Sequence, residues 1–102
     1  VSVILQIDFP FSGPFGSEMS DSMLGVAESI NQEPGFIWKI WTENAATQRA
    51  GGIYLFDNET NARTYLTKHT QRLAGFGISD IQAQCFAYNP VLSSLNKARF
   101  LG

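Results

Sequence analysis

The chain has 102 residues, 44% of them apolar and 16% charged, which describes a single globular domain over residues 1–102 rather than a disordered segment. A formal net charge of −2 with no basic stripe argues against nucleic acid as a partner, and no apolar run approaches the roughly 20 residues that cross a bilayer. Cys85 is the only cysteine, which excludes an intramolecular disulfide and a cysteine-based zinc cluster.

VSVILQIDF, residues 1–9, alternates with the period of a β-strand. Val1, Val3, Leu5, Ile7 and Phe9 share one face; Ser2, Ile4, Gln6 and Asp8 share the other. It has neither the basic start nor the cleavage site of a secretory signal, and a cytoplasmic location is the simplest expectation. PFSGPFG follows, with the Pro and Gly of a turn and two phenylalanines that suit a loop folded over something apolar. Ser17 then predicts the N-cap of a helix, with Glu18 and Asp21 complementing its positive end. Met19, Met23, Val26, Ala27 and Ile30 form its buried stripe, and Gly25 suits a close approach to that helix.

Pro34-Gly35 breaks the chain before two strands, residues 36–43 and 52–57, which the polar NAATQRAG joins as a hairpin. Asn58 caps a second helix carrying Ala62, Tyr65, Leu66, His69 and Leu73 on one face, and Gly75 and Gly77 stop it. ISDIQAQCFAYN reads as a fourth strand. VLSSLNKARFLG reads as a short terminal helix with Leu92 and Leu95 inward. The order β-α-β-β-α-β plus a tail is an α+β, ferredoxin-like plan.

Two helices cover one face of such a sheet. GFIWKIWTEN therefore poses a question, because Trp38 and Trp41 stand three apart in a strand and must point to opposite faces. The aliphatic Val3, Leu5 and Ile7 suit the helix-covered side, with Lys39 and Trp41. The aromatic set, Phe36, Trp38, Phe56 and Phe86, is then expected on the uncovered face. A patch of that kind points to burial against a second copy, a symmetric homodimer.

His69, the only histidine, sits on an apolar helix stripe. Two readings stand: a hydrogen-bonded core histidine, or a neutral general base beside an apolar substrate. Trp38, Tyr54, Phe56 and Tyr65 can line an aromatic pocket or simply pack, and Trp41 approaches the same space beneath the helices as His69. Lys39 under a helix is costly unless it reaches an edge, pairs with an acid such as Glu43, or lines a cavity. One histidine and no acidic cluster leave no metal site, and no phosphate-binding loop, dinucleotide fingerprint or nucleophile elbow is present.

FSGPFG, AESINQEPGF, WKIWTE, AGGIYLF, YLTKHTQRL and NPVLSSLN together resemble the YdhR family of small bacterial monooxygenases, from about Leu5 to Asn96. The resemblance implies a dimeric α+β barrel in which two ferredoxin-like subunits pack sheet to sheet. It also implies kinship with oxygenases that need no cofactor and oxidise aromatic, phenolic or quinol-like compounds. On that expectation His69 is the base, while Trp38, Trp41, Tyr54 and Tyr65 hold a flat substrate. A dimer that binds or senses a small molecule without turnover is the alternative.

Overall fold

The structure, a computed structural model, describes residues 1–99. Its elements are β1 (Val3–Pro10), α1 (Gly16–Ile30), β2 (Phe36–Asn44), β3 (Arg49–Phe56), α2 (Glu59–Gly75), β4 (Gln82–Phe86) and α3 (Pro90–Leu95). The four strands form one antiparallel sheet in the order β2-β3-β1-β4. This is the expected ferredoxin-like arrangement.

The alternation of β1 explains its central place. Val3, Leu5, Ile7 and Phe9 are all buried in the core beneath the helices. Full burial of each such side chain is worth about 1.5–3 kcal/mol, so a slip by one residue would forfeit the whole set. On α2, Ala62, Tyr65, His69 and Leu73 are buried along the predicted stripe. Asn58 caps that helix by accepting a hydrogen bond from the Asn61 N–H at 2.8 Å.

Directly opposed residues in an antiparallel pair share a face, and this register corrects part of the expected face assignment. Tyr54 stands opposite Leu5 and Phe56 opposite Val3, so both lie on the helix side. Phe36 stands opposite Phe56, with the two rings edge to face at 5.9 Å. A register shift at Ile37 separates Phe36 from Trp38, which pairs with Leu55 on the uncovered side. Phe56 is fully enclosed within the subunit and Phe36 packs against the core. Neither presents its ring to a partner across the open face. Trp38 and Phe86 do lie on that face, Phe86 opposite Ile4.

Four further expectations are revised. The N-cap of α1 is Phe15, not Ser17, and the Gly16 N–H donates to the Glu43 carboxylate across to β2 at 2.8 Å. Gly25 has nothing within 4 Å of where a Cβ would stand, so it serves no close approach. The strand 78–89 shrinks to Gln82–Phe86, because the Ile78 N–H bonds back to the Leu73 carbonyl and wraps the chain round the end of α2. In α3, Leu92 and Leu95 are 58% and 76% exposed rather than inward, since α1 and α2 already occupy the covered face. The expected terminal helix also runs into residues 100–102, which lie outside the described residues.

Candidate functional site

Between the covered face of the sheet and the two helices lies a cavity of about 390 Å³. Small-molecule pockets run from about 300 to 1,000 Å³, so this one suits a compact ligand. Its origin is local. On β3, Ala50, Gly51 and Gly52 put almost no side-chain volume opposite Phe9, Asp8 and Ile7. On α1, Met23 and Val26 are only half-buried, so that helix stands off the sheet. The loop carrying Phe11, Gly13 and Pro14 closes one end, and Phe76 and Ile78 after α2 line another part. Phe11 packs edge to face against Phe9 at 6.1 Å and Phe15 at 5.6 Å. That is the loop expected to fold over something apolar.

Few polar groups reach this space. Lys39 resolves the choice posed by the sequence, because it lines the cavity. Its Nζ lies 3.3 Å from the centroid of the Trp41 ring and 4.7 Å from that of Tyr54. Such cation–π contacts contribute about 0.5–2 kcal/mol, far less than the hydration a buried ammonium loses. Burial, and secondarily the Arg72 guanidinium, push the Lys39 amine down to about 7. Gly52 is the residue that admits it. A Cβ there would stand 2.6 Å from Lys39 Cε and 3.1 Å from the Tyr54 ring.

Behind the lysine, Tyr54 and Tyr65 share a hydrogen bond between their hydroxyls at 3.1 Å. Both are about 1% exposed. Burial raises the Tyr54 phenol well above its ordinary range and pushes that of Tyr65 up to about 12. Both are neutral hydrogen-bonding groups at physiological pH. His69 stacks on Tyr65 with ring centroids 5.0 Å apart, and its Nδ1 is buried without a hydrogen-bond partner. Burial, then the charges of Lys39 and Arg72, push the imidazole down to about 3. A neutral imidazole is what its place on an apolar stripe leads one to expect, but a group held this far below the ordinary imidazole range is a weak proton acceptor, which counts against the expected role of base. A site so reluctant to accept a proton makes His69 a neutral polar wall.

The structure thus brings Trp41, Tyr54 and His69 to one cavity, with Tyr65 bonded to Tyr54 behind it. Trp38 does not line this cavity. It borders a separate groove between α1 and β2, whose wall it shares with Lys39 and Trp41. Gly52 and the residues after α2 were missed from the sequence. The signal for Gly52 was available, since a glycine pair inside a strand marks close approach by another group.

Among known proteins, the family described as "Putative mono-oxygenase ydhR" matches residues 4–99. No curated protein matches the chain by sequence. Solved structures that share its fold include two oxygenases. One is SnoaB of Streptomyces nogalater, a cofactor-independent oxygenase, with a TM-score of 0.63 and 16% identity over 86% of this chain and 93% of that one. The other is a monooxygenase from the gene ActVA-Orf6 of Streptomyces coelicolor, solved with nanaomycin D. It has a TM-score of 0.62 and 18% identity over 87% of this chain and 88% of that one.

Proposed function

The chain belongs to the ydhR mono-oxygenase family, and on that premise we propose that it oxidises a small, flat phenolic or quinol-like compound without a cofactor. The observation that carries this reading is the apolar cavity beneath the helices, with Trp41, Tyr54, Lys39 and His69 in its walls. The fold it shares with a cofactor-independent oxygenase supports the same reading.

The chemistry asks little of the protein beyond position and a dry site. An anthrone-type substrate gives up a proton, and its anion passes one electron to dioxygen. The resulting radical and superoxide combine at carbon, and protonation gives a hydroperoxide. Loss of water leaves the new carbonyl, so one substrate methylene and one dioxygen become one ketone and one water. Trp41 and Tyr54 are the proposed faces for the flat substrate, and His69 is a neutral hydrogen-bonding contact. The Tyr54–Tyr65 pair keeps the wall rigid.

A homodimer belongs to this reading as well. The uncovered face carries Trp38, Ile40, Ile53 and Phe86, of which Ile40 is 46% and Phe86 42% exposed. On α3, Val91, Leu92 and Leu95 add exposed apolar surface. A second copy is the proposed cover for the sheet.

The test is oxygen uptake by metal-free protein with a panel of anthrones and hydroquinones, with tryptophan fluorescence read on the same samples. Uptake above autoxidation with at least one compound is the expected result. Saturable quenching without uptake would replace the oxygenase by a binding protein, and silence in both channels would remove the ligand site from the reading.

A further inference from the structure

The cavity contains one unsatisfied demand. Lys39 is its cation, and the described residues give it no acid. Glu43, the nearest candidate on the same strand, accepts instead from the Gly16 N–H. The ion pairs among the described residues engage Arg49, Arg63 and Lys68 with Asp8, Glu59 and Glu33. Among the described residues the amine has only the faces of Trp41 and Tyr54. Gly52, where any Cβ would collide with the lysine stem, keeps this position open at the cost of a side chain in the middle of a strand.

The other polar groups of the site do not compensate. The Tyr54 hydroxyl is committed to Tyr65, and His69 is neutral. Ser22 donates its hydroxyl to the Met19 carbonyl, Thr42 is uncharged, and the rest of the wall is mainly apolar. A cationic ligand would meet a like charge, and a wholly apolar one would leave the amine unpaired. The complement is a flat apolar body with one anionic oxygen.

We infer that Lys39 is the recognition and proton-accepting residue of this cavity, and that its ligand is a flat aromatic molecule with a weakly acidic phenol or enol, bound as the oxyanion against the Lys39 ammonium. The inference rests on the reading of the cavity as a ligand site, but not on oxygen chemistry. A weak acid can enter uncharged and ionise inside, whereas a carboxylate must first shed its hydration. The ligand O–H bond breaks and an N–H bond forms, with no electron moved. Where Lys39 already holds a proton, the ligand's proton goes to water, and the bound pair is the same.

Other titratable groups near Lys39 bear on its pH dependence. Tyr54 faces it from β3, His69 and Arg72 act on it from α2, and Glu28 of α1 borders the groove it shares. On its own strand Glu43 is turned to Gly16.

The probe is alizarin, a dihydroxyanthraquinone whose anion absorbs to the red of its neutral form, with anthraquinone as the partner lacking hydroxyls. At a pH where free alizarin is neutral, wild-type protein should shift its spectrum to that of the anion. Lys39→Met keeps the length of the stem and removes the charge. It should bind anthraquinone at least as tightly as wild type does, hold alizarin in its neutral form, and bind alizarin weaker by about tenfold or more. Gly52→Ala, which displaces the amine, should reduce the red shift in a folded protein.

Alizarin that stays neutral on the wild type, fails to bind it, or ionises equally on Lys39→Met overturns the inference. Tighter binding of anthraquinone-2-carboxylate than of alizarin overturns the weak-acid assignment. None of these readouts needs turnover. A red shift without oxygen uptake therefore supports the lysine site while refuting the oxygenase.

Discussion

His69 makes the stability of this protein depend on acid in a calculable way. Unfolded, the imidazole takes up a proton near 6.5; folded, it resists until about 3. Between those values the unfolded chain binds more protons, so the contribution of His69 is full above 6.5 and is lost as pH falls. Each pH unit in that window costs about 1.4 kcal/mol, which makes roughly 3 kcal/mol between pH 7 and pH 4. For a domain of this size that is a fall in Tm on the order of 15–20 °C. Lys39 does not confuse the measurement, because below about 7 it is charged in both states.

The comparator is His69→Phe, which retains a ring against Tyr65 and loses no hydrogen bond at the unpartnered Nδ1. Urea unfolding followed by tryptophan fluorescence at pH 7, 5.5 and 4, at one protein concentration, should show the variant losing about 3 kcal/mol less than wild type. Equal losses within about 0.5 kcal/mol would mean that the folded imidazole charges freely, and the argument from its burial would fail.

Three other outcomes are expected. Tyr54→Phe strands the buried Tyr65 hydroxyl and should cost about 1–3 kcal/mol in urea unfolding, whereas Tyr54→Phe with Tyr65→Phe should cost less than the single change. Gly25→Ala sits on an exposed helix position with nothing near the new Cβ, and should raise stability by about 0.5–1 kcal/mol in the same assay. Ile40→Lys places a charge on the uncovered sheet face at a half-exposed site, so it should leave circular dichroism unchanged and convert the dimer to monomer in sedimentation velocity. A dimer that survives would remove that face from the proposed interface.

The limits of the sequence reading follow from where its information is local. The strict alternation of β1 and the stripe of α2 are each set by one segment against one core, and both were legible. On β2, counting by twos from Trp38 put Lys39 and Trp41 under the helices, where they are found. Counting failed at Phe36, because the irregularity at Ile37 reverses the face of everything before it. It failed on β3 because a hairpin's register depends on its turn. The Asn44 side chain closes a turn by accepting from the Thr47 N–H at 3.1 Å, and β3 therefore starts at Arg49. Tyr54 and Phe56 followed that register to the inner face. The cap of α1 came from Glu43, 27 residues away from Gly16, and no local pattern reports such a partner. The neutral state of His69 was legible from its place on an apolar stripe, but the added push from Lys39 and Arg72 was not.

Lys39 shows what the cavity demands of the fold. Its amine falls from 10.5 in the unfolded chain to about 7 in the folded one. Between those values the unfolded state binds more protons, so stability rises with pH across that window, and the whole penalty is present below about 7. The depression corresponds to roughly 4–5 kcal/mol as an upper bound, which the partial exposure of Lys39 to solvent reduces. Lys39→Met should therefore stabilise the protein at pH 7 by about 2–3 kcal/mol, measured by urea unfolding, and the gain should shrink toward pH 10. A ligand oxyanion offsets the same penalty, so it should stabilise wild type and leave Lys39→Met nearly unmoved. A variant that is less stable than wild type at pH 7, or whose gain does not decline with pH, would show that the amine is hydrated in the native state. An energetically costly lysine is otherwise hard to reconcile with a purely structural cavity, because methionine fills the same space without the charge.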